Sequence, residues 1–208
     1  PKTEKILQEE PTTTANNKIF TTIEQHKKTI YEAKTNYNLI KERAHYDFNL
    51  KKENIFKETI NEEFNGFGCT GENQSPQLSW KNAPEGTKSF AVTMYDPDAP
   101  TGSGWWHWVV FDIPSNTTEL ASGAGNMELN LTPEGVIQSI TDYGMNGYGG
   151  PCPPEGHGLH QYIITVHALK TDKLGLDEKT NPAVVGYYLW NNTLAKASIV
   201  SYYKRSKE

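Results

Sequence analysis

Two patterns of hydrophobic and polar residues divide the chain. From about Lys18 to Ala44, apolar residues recur at three- and four-residue steps without a proline or glycine, which predicts an amphipathic helix. From Tyr46 onwards, short β-rich runs alternate with clusters of glycine, proline and asparagine, which is typical of an all-β sandwich or barrel. The pattern therefore predicts a polar leader and helix over residues 1–45 and a mostly β domain over residues 46–208.

The helical segment is compatible with more than one role. Its apolar stripe is thin, because His26, Lys27 and Lys34 interrupt it. It fits a solvated helix that lies on the domain by one edge, a helix for oligomerisation or partner docking, or a disordered segment. Residues 1–45 hold eight Lys/Arg against six Glu, whereas residues 46–208 hold twelve Lys/Arg against nineteen Asp/Glu. The extension is therefore basic and the β domain acidic.

The β domain contains six runs with the composition and period of strands. They lie near residues 46–50, 77–80, 88–95, 105–113, 135–140 and 160–169. Asn181 and Pro182 open a last element. The run TLAKASIVSYY at Thr193–Tyr203 is expected to form a C-terminal helix, with Leu194, Ala197, Ile199 and Val200 turned inward.

One polar stretch joins the end of a predicted strand to the start of the next. Asp96-Pro97-Asp98-Ala99-Pro100 forms a stiff acidic turn, because proline fixes φ and biases the preceding residue towards extended backbone. In the aromatic strand that follows, side chains alternate with period two, so Trp105, His107 and Val109 point the same way. A carboxylate and a histidine beside a tryptophan are thus expected to meet at one end of a sheet.

A second stretch runs from a proline-rich loop into a strand. Gly149 and Gly150 are expected to let a ligand approach the backbone and to leave N–H groups free. In the strand, His160 and Tyr162 share a face. Two imidazoles and a phenol can donate hydrogen bonds to phosphoryl or carboxylate oxygens, and Asp96 can orient a histidine. Together the two stretches predict a small anion pocket.

Other polar and aromatic residues near these stretches are expected to be structural. His157, between two glycines, is expected to be exposed, and His167 to pack or to face solvent. Asp98 is expected to stabilise its own turn. Trp106 and Trp108 should alternate away from the pocket and pack elsewhere.

The net charge and the number of cysteines limit which kinds of partner and which cellular compartment are compatible with the chain. A formal net charge of −5 and a pI of about 5.7 argue against nucleic acid as the main partner. No apolar run approaches a membrane-spanning length, and no signal peptide is visible. The chain begins with proline, so we expect that an N-terminal segment was removed. Cys69 and Cys152 fit one disulfide in an oxidising compartment or two buried thiols, and the residues alone leave both open.

Enzymatic chemistry is the alternative to binding. Ser79, His107 and Asp96 supply the residue types of a serine hydrolase triad, but no nucleophile-elbow motif surrounds Ser79. Asp96, His107 and His160 are chemically suited to zinc in a metal-dependent hydrolase. However, the spacing of His157 and His160 lacks a helical context. We therefore expect no catalytic residue, no metal and no cofactor.

Three motifs occur in order along the β domain. They are CTGENQSPQLSW at 69–80, GTKSFAVTMYDPDAPTGSGWWHWVVFDIP at 86–114 and GPCPPEGHGLHQY at 150–162. With them, the chain resembles the phosphatidylethanolamine-binding protein family, in particular its bacterial Raf-kinase-inhibitor-like branch, over roughly Phe48–Tyr203. The resemblance implies a β-sandwich of that family's type with peripheral helices, to which the N-terminal helix is an extension. It also implies a pocket for phosphate-type groups such as phospholipid head groups.

The resemblance also implies roles for individual residues. The implied ligand-binding residues are Asp96, Trp105, His107, Gly150, Pro153, His160 and Tyr162. Pro100 matches a position expected to be a cis-proline. Cys69 and Cys152 match cysteines of bacterial members, which implies a disulfide between the first loop and the pocket loop. Gln161 stands where the family has an arginine, and it is expected to face away from the pocket.

The implied function is small-anion binding, strengthened when His107 or His160 is protonated. A kinase or protease that the domain regulates or inhibits is the implied protein partner. The cysteine pair and the missing initiator methionine favour a periplasmic or secreted form, with a cytoplasmic location as the alternative.

Overall fold

The structure is a computed structural model, and it describes residues 48–52 and 60–206. The leader and the predicted helix of residues 18–44 lie outside the described residues. The described residues form ten strands and one helix. The strands are β1 (Asn49–Lys52), β2 (Asn65–Gly66), β3 (Cys69–Thr70), β4 (Leu78–Lys81), β5 (Ser89–Asp96), β6 (Trp105–Pro114), β7 (Glu119–Leu120), β8 (Ile137–Gln138), β9 (His160–Leu169) and β10 (Thr193–Tyr203), and the helix is α1 (Pro182–Asn192).

Five of the strands form a central antiparallel sheet. Their order is β10–β9–β5–β6–β8, so β5 lies in the middle, between β6 and β9. A second sheet has the order β1–β4–β7, and β2 pairs with β3 in a short ribbon. All these pairs are antiparallel, as expected for strands joined by hairpins and meanders rather than by crossover helices.

The main core lies between the two sheets. Phe48, Leu78 and Trp80 from the smaller sheet and its edge cluster with Val92 and Ile164 of the central sheet, and all five are 3% exposed or less. The aromatic strand contributes as well, since the Trp108 indole is buried and donates to Oε1 of Gln138 at 2.7 Å. Two sheets packed over a shared core confirm the predicted β-sandwich.

The helix covers the other face of the central sheet. Val185 and Leu189 of α1 pack with Ala91, Val109 and Phe111 in a second buried cluster. The helix begins where the sequence predicts a boundary. The Asn181 side chain accepts the N–H of Ala183 at 2.8 Å, and Pro182 occupies the first turn, where its missing N–H is harmless. Both faces of β5 are therefore buried, which explains its nearly continuous apolar run.

The predicted C-terminal helix is wrong, because residues 193–203 form the strand β10. It pairs antiparallel with β9 along its length, from Thr193 opposite Leu169 to Tyr203 opposite His160. Burial alternates with period two: Ala195 and Ala197 are buried, whereas Leu194 is exposed. Leu, Ala and Lys favour helix, but pairing with an exposed strand edge of the central sheet overrides that local preference.

The other predicted strands agree with the structure to within a few residues, apart from the run at 135–140. In that run, Ile137 and Gln138 pair with β6, and Ile140 forms an isolated bridge to Asn146. The run near 46–50 falls partly outside the described residues, which begin at Phe48. Within the described residues, no helix is long and apolar enough to cross a membrane.

Candidate functional site

A cavity of about 210 Å³ lies at one end of the central sheet. Because β5 runs antiparallel to both of its neighbours, its C-terminal end meets the N-terminal ends of β6 and β9. Asp96 ends β5, Trp105 begins β6 and His160 begins β9. The cavity is lined by Phe67, Asp96, Ala99, Pro100, Thr101, Trp105, His107, Tyr143, Cys152, Pro153, Pro154, His160 and Tyr162.

Six of the seven predicted ligand-binding residues line this cavity, and one does not. Those that do are Asp96, Trp105, His107, Pro153, His160 and Tyr162. Gly150 is the exception. The topology therefore brings together two stretches that are well separated in the sequence.

Asp96 is a buried carboxylate with its hydrogen bonds already made. It is 3% exposed. Its Oδ1 accepts the N–H of Asp98 at 2.7 Å, which closes the acidic turn locally. Its Oδ2 accepts from Nδ1 of His160 at 2.7 Å. The carboxylate thus orients the imidazole and fixes which of its nitrogens carries a proton.

The second nitrogen of His160 is also occupied. Its Nε2 lies 2.7 Å from Nδ1 of His157, whose ring stands in the loop before β9. His157 is exposed, as predicted, but its bond to His160 was not expected from the sequence. Asp96, His160 and His157 thus form a continuous chain of hydrogen bonds from the cavity wall to the surface.

His107 is held by the backbone instead. Its Nδ1 donates to the carbonyl of Gly149 at 2.7 Å, and the N–H of Gly149 donates back to the His107 carbonyl at 2.8 Å. Burial lowers the pKa of His107 to about 4, against the opposing effect of the Gly149 carbonyl. His107 is therefore neutral at neutral pH, and its Nε2 is a lone-pair acceptor. The expectation that a protonated His107 or His160 strengthens binding stays a prediction, and in the absence of a ligand His107 does not carry that proton near neutral pH.

Tyr143 forms an aromatic wall that the sequence analysis missed. Its ring stacks on Phe64 at 4.1 Å and meets Trp105 edge-on at 5.3 Å. Its hydroxyl donates to the Gly150 carbonyl at 2.7 Å, and burial raises its pKa. No periodic strand carries Tyr143, since it lies in the turn-rich segment after β8. The aromatic residue in that segment was the only available signal.

Phe67 stands at the rim of the cavity. Its side chain is 72% exposed and contacts the rings of Phe64 and Tyr143 at 5.6 Å each. It was also missed, because the sequence Asn65-Gly66-Phe67-Gly68 indicates only a turn. The backbone of Phe67 is left-handed, with φ 53°, as that turn requires.

The expectation that the N–H groups of Gly149 and Gly150 are free is wrong. The N–H of Gly149 bonds to His107, and that of Gly150 donates to Oδ1 of Asn73 at 2.8 Å. A Cβ on Gly150 would lie 1.9 Å from the Glu62 carbonyl oxygen. The glycine is needed where two chain segments meet, and not for the approach of a ligand.

The proline loop is tied covalently to the first loop. Cys69 and Cys152 form a disulfide with a Cα–Cα distance of 5.9 Å, which confirms the pairing implied by the resemblance. Arg205 ties the same two loops, because its guanidinium donates to the Gly68 carbonyl at 2.7 Å and to Oε1 of Glu155 at 2.6 Å. The loop that carries Pro153 is therefore fixed on one side by the disulfide at Cys152 and on the other by the bond between Arg205 and Glu155.

The expected cis bond at Pro100 is wrong, because the described residues contain no cis peptide bond. The N–H of Thr101 donates to the Ala99 carbonyl at 2.8 Å, which makes a tight turn around Pro100. The fixed φ of proline suits that turn with a trans bond.

Trp106 and Trp108 both pack away from the cavity as predicted, but they do not share a face, because Trp106 packs beside the second buried cluster and Trp108 lies in the main core. Trp106 packs against Tyr95 with 4.6 Å between ring centroids, on the opposite side of the strand from Trp105. Trp105 lines the cavity, and its indole N–H is buried without a hydrogen-bond partner among the described residues. Asp98 stabilises the site indirectly, because its Oδ2 accepts the N–H of Gln161 at 2.8 Å and so fixes the start of β9.

The geometry does not favour a hydrolase. Ser79 lies in β4, in the smaller sheet, and does not line the cavity. Asp96 and His160 face each other at hydrogen-bond distance, so no metal ion fits between them. Over residues 48–52 and 60–206, no group of three or more His, Cys, Asp or Glu is placed to hold a metal ion.

The electrostatics of the cavity are unusual for an anion site. Among the described residues that line it, Asp96 is the single carboxylate and there is no Lys or Arg. The hydrogen-bonding capacity comes from imidazole, indole and phenol groups. An anion in this cavity would gain little from full charges and would depend on where protons lie.

Comparison with known proteins agrees with this fold. A family model described as phosphatidylethanolamine-binding protein matches residues 54–204. Two proteins of Escherichia coli are similar in sequence. The UPF0098 protein YbcL is 51% identical over 146 residues, covering 70% of this chain and 80% of its own, and the UPF0098 protein YbhB is 51% identical over 138 residues, covering 66% and 86%. Neither name states an enzymatic activity.

Solved structures show the same fold. The crystal structure of Escherichia coli YbcL, described as a new member of the mammalian PEBP family, matches with a TM-score of 0.74 and 47% identity, covering 76% of this chain and 98% of that one. A phosphatidylethanolamine-binding protein homologue from Chlamydia trachomatis matches with a TM-score of 0.62 at 23% identity, over 76% and 97%. Because the family match spans most of the β domain and two relatives are 51% identical to it over the aligned residues, this chain belongs to the phosphatidylethanolamine-binding protein family.

Proposed function

We propose that the cavity binds a small phosphate-type monoanion, such as inorganic phosphate or the phosphoryl end of a head group. The observation that carries the proposal is the pairing of two differently held imidazoles. His107, fixed by the Gly149 carbonyl, and His160, fixed by the Asp96 carboxylate, both line one cavity whose described lining residues include no Lys or Arg.

The charge distribution supports a ligand that carries a proton. A fully ionised dianion would meet the Asp96 carboxylate and the lone pair of His107 Nε2, and the described lining residues include no Lys or Arg to offset them. A monoanionic phosphomonoester has one P–OH donor and two further oxygens that accept, and it loses that proton near pH 6. Affinity therefore falls as the pH rises above about 6, by up to roughly tenfold per pH unit for one proton.

A matched pair of small molecules tests this proposal. Phosphoethanolamine and 2-aminoethyl hydrogen sulfate have the same shape, but the sulfate ester carries no proton to donate at pH 6. Ring resonances of His107 and His160, followed by NMR during titration, should shift with phosphoethanolamine and shift much less with the sulfate. Replacement of His167, which lies outside the cavity, by glutamine is the control and should change neither response.

Two outcomes would remove the proposal. If neither His107 nor His160 responds to millimolar phosphoethanolamine, the cavity is not an anion site. If the sulfate ester binds as tightly as the phosphate ester, the protonated ligand is not what the cavity selects. A kinase or protease as protein partner stays a prediction, and no observation at the cavity favours a hydrolase over binding.

We also propose a periplasmic or secreted location. The Cys69–Cys152 disulfide supports it, because such bonds persist in oxidising compartments. A relative from Mycobacterium tuberculosis, 38% identical over 103 residues that span half of this chain, is named a putative lipoprotein. Trapping free thiols at cell lysis tests the location: two free thiols in the freshly trapped protein would favour the cytoplasm instead.

A further inference from the structure

His160 has no nitrogen left for a ligand in this structure. Its Nδ1 is bonded to Asp96 and its Nε2 to His157, each at 2.7 Å. On the other side of the cavity, His107 uses only Nδ1 for the Gly149 carbonyl, so its Nε2 carries no such fixed bond in the neutral ring. The two imidazoles that line the cavity therefore differ in what they can offer to an oxyanion.

We propose that His157 competes with the ligand for Nε2 of His160, and so sets the affinity of the site. This inference rests on the proposed anion binding. A phosphoryl oxygen that bonds to His160 must take the place of the His157 ring, because Nε2 accepts or donates only one hydrogen bond. His157 does not itself line the cavity, although its turn supplies Pro154 to the wall.

The His157 ring can leave without disturbing the loop. The residue is exposed and stands between Gly156 and Gly158, whose φ values are 71° and 101°. The backbone of the turn is held separately: the N–H of His157 donates to the Pro154 carbonyl at 3.1 Å, and the N–H of Gly156 to the Arg205 carbonyl at 3.0 Å. Rotation of the side chain therefore breaks one hydrogen bond and leaves the turn intact.

The exchange conserves the number of donors at His160. When both imidazoles are neutral, Nδ1 of His160 carries the proton that faces Asp96, so the proton between the rings belongs to Nδ1 of His157. When His157 rotates away, that proton leaves with it, and the P–OH of a monoanionic phosphate can donate to the same nitrogen. The ligand thus replaces one donor by another, which is why the competition is closely balanced.

The size of the effect follows from the net strength of one hydrogen bond. A hydrogen bond in a partly exposed position contributes a modest net amount, because water replaces it when it breaks. Removal of the competitor should therefore tighten ligand binding by about threefold to tenfold. A residue that contacted the ligand directly would have the opposite effect on removal.

The test compares His157→Ala with Leu159→Ala, using phosphoethanolamine as the probe and calorimetry at pH 6. Leu159 lies in the same loop and is 62% exposed, so its replacement controls for loosening of the loop. We expect the dissociation constant of His157→Ala to fall by about threefold to tenfold and that of Leu159→Ala to stay at the wild-type value. An unchanged or weaker affinity in His157→Ala would overturn the inference, and so would an equal gain in Leu159→Ala.

The experiment separates this inference from the proposed function. If the wild type binds and His157→Ala binds equally well, the competition is wrong while the anion site stands. If His157→Ala binds phosphoethanolamine and the wild type does not, His157 blocks the site completely in the wild type, and the inference is supported. If no variant binds phosphoethanolamine, both the site and the competition are wrong. The ring ¹⁵N resonance of His160 Nε2 provides a second readout without ligand: it should shift in His157→Ala, and an unchanged resonance would show that the two rings do not bond in solution.

Discussion

The two sides of the cavity hold their histidines by different means. On the β6 side, His107 and Gly149 exchange two hydrogen bonds through ring nitrogen and backbone, and the ring is 2% exposed. On the β9 side, His160 is equally buried, but it is held by the side chains of Asp96 and His157. Backbone partners cannot change their protonation, whereas side-chain partners can. One side is therefore fixed and the other adjustable.

The largest expected effect concerns the covalent link that anchors the adjustable side. In the unfolded chain, the disulfide closes a loop between Cys69 and Cys152, which are 83 residues apart, and replacement of both cysteines by alanine opens that loop. The free energy of unfolding should fall by about 4 kcal/mol, since the unfolded chain regains the entropy of that loop. Urea denaturation of the oxidised wild type and the variant measures the difference.

Reduced wild-type protein is the control for the cysteine variant and should lose a similar amount of stability. A loss below about 1 kcal/mol in both would mean that the bond constrains little beyond what Arg205 already holds.

The next effect concerns the fixed side and its pH dependence. The pKa of His107 is about 4 in the folded chain, below the ordinary value of 6.5. Between these two values only the unfolded chain binds the proton, so stability falls as the pH falls from 6.5 to 4, by about 3 kcal/mol at the acid end. Above pH 6.5 neither state is protonated at this residue, and the contribution is constant.

Denaturation of wild type and His107→Gln at pH 7, 5.5 and 4 measures this slope. His167→Gln is the matched comparison, because burial and then the charge of Lys196 lower the pKa of His167 to about 4 as well, away from the cavity. Both variants should show a shallower slope than the wild type, but only His107→Gln should alter phosphate binding. A wild-type slope in His107→Gln would mean that its ring titrates normally.

The adjustable side should respond to loss of the Asp96 charge. In Asp96→Asn the carboxylate no longer orients His160, and the affinity for phosphoethanolamine should fall by roughly 10- to 100-fold, the value of one hydrogen bond to a charged group. Asp98→Asn is the control, since the Asp98 side chain accepts from the backbone of Gln161, whereas the described hydrogen bonds of the two imidazoles go to other partners.

NMR sharpens this comparison, because Asp96→Asn should displace the ring resonances of His160 while those of His107 move little. Equal affinity in Asp96→Asn and Asp98→Asn would count against the role of the carboxylate.

The smallest effect is expected at the shared wall. Tyr143→Phe removes one hydrogen bond to the Gly150 carbonyl and keeps the ring that contacts Trp105 and His107. The free energy of unfolding should fall by about 1 kcal/mol, with the tautomer of His107 unchanged. Thermal denaturation and the ¹⁵N shifts of His107 measure the two quantities. A changed tautomer would mean that the β6 side is less rigid than its backbone bonds indicate.

The sequence was sufficient for the strands that build the cavity and for most of its polar lining. Period-two runs located β5, β6 and β9, and the antiparallel order then places Asp96 beside His160. The roles of these residues in ligand binding remain predictions. The family relationship and the disulfide that the resemblance implied are confirmed.

The failures have a common physical cause, which is contact between segments distant in sequence. β10 resembles a helix locally and becomes a strand only because β9 offers a partner. The N–H groups of Gly149 and Gly150 looked available until His107 and Asn73 were placed against them. Likewise, Tyr143 reaches the cavity from a loop without a periodic pattern. The path of such a loop cannot be predicted from the spacing of its apolar residues.

The burial of both faces of β5 has a consequence for how the chain avoids mispairing. When a strand has one solvent-exposed face, a slip of its pairing by one residue costs free energy, because its apolar side chains then turn towards solvent. β5 lacks that penalty, since either face meets a hydrophobic cluster. Its alignment then depends on its polar ends, where Ser89 donates to the Thr171 carbonyl at 2.6 Å and Asp96 accepts from His160. A one-residue slip of β5 would separate Asp96 from His160 and leave a buried carboxylate without that partner.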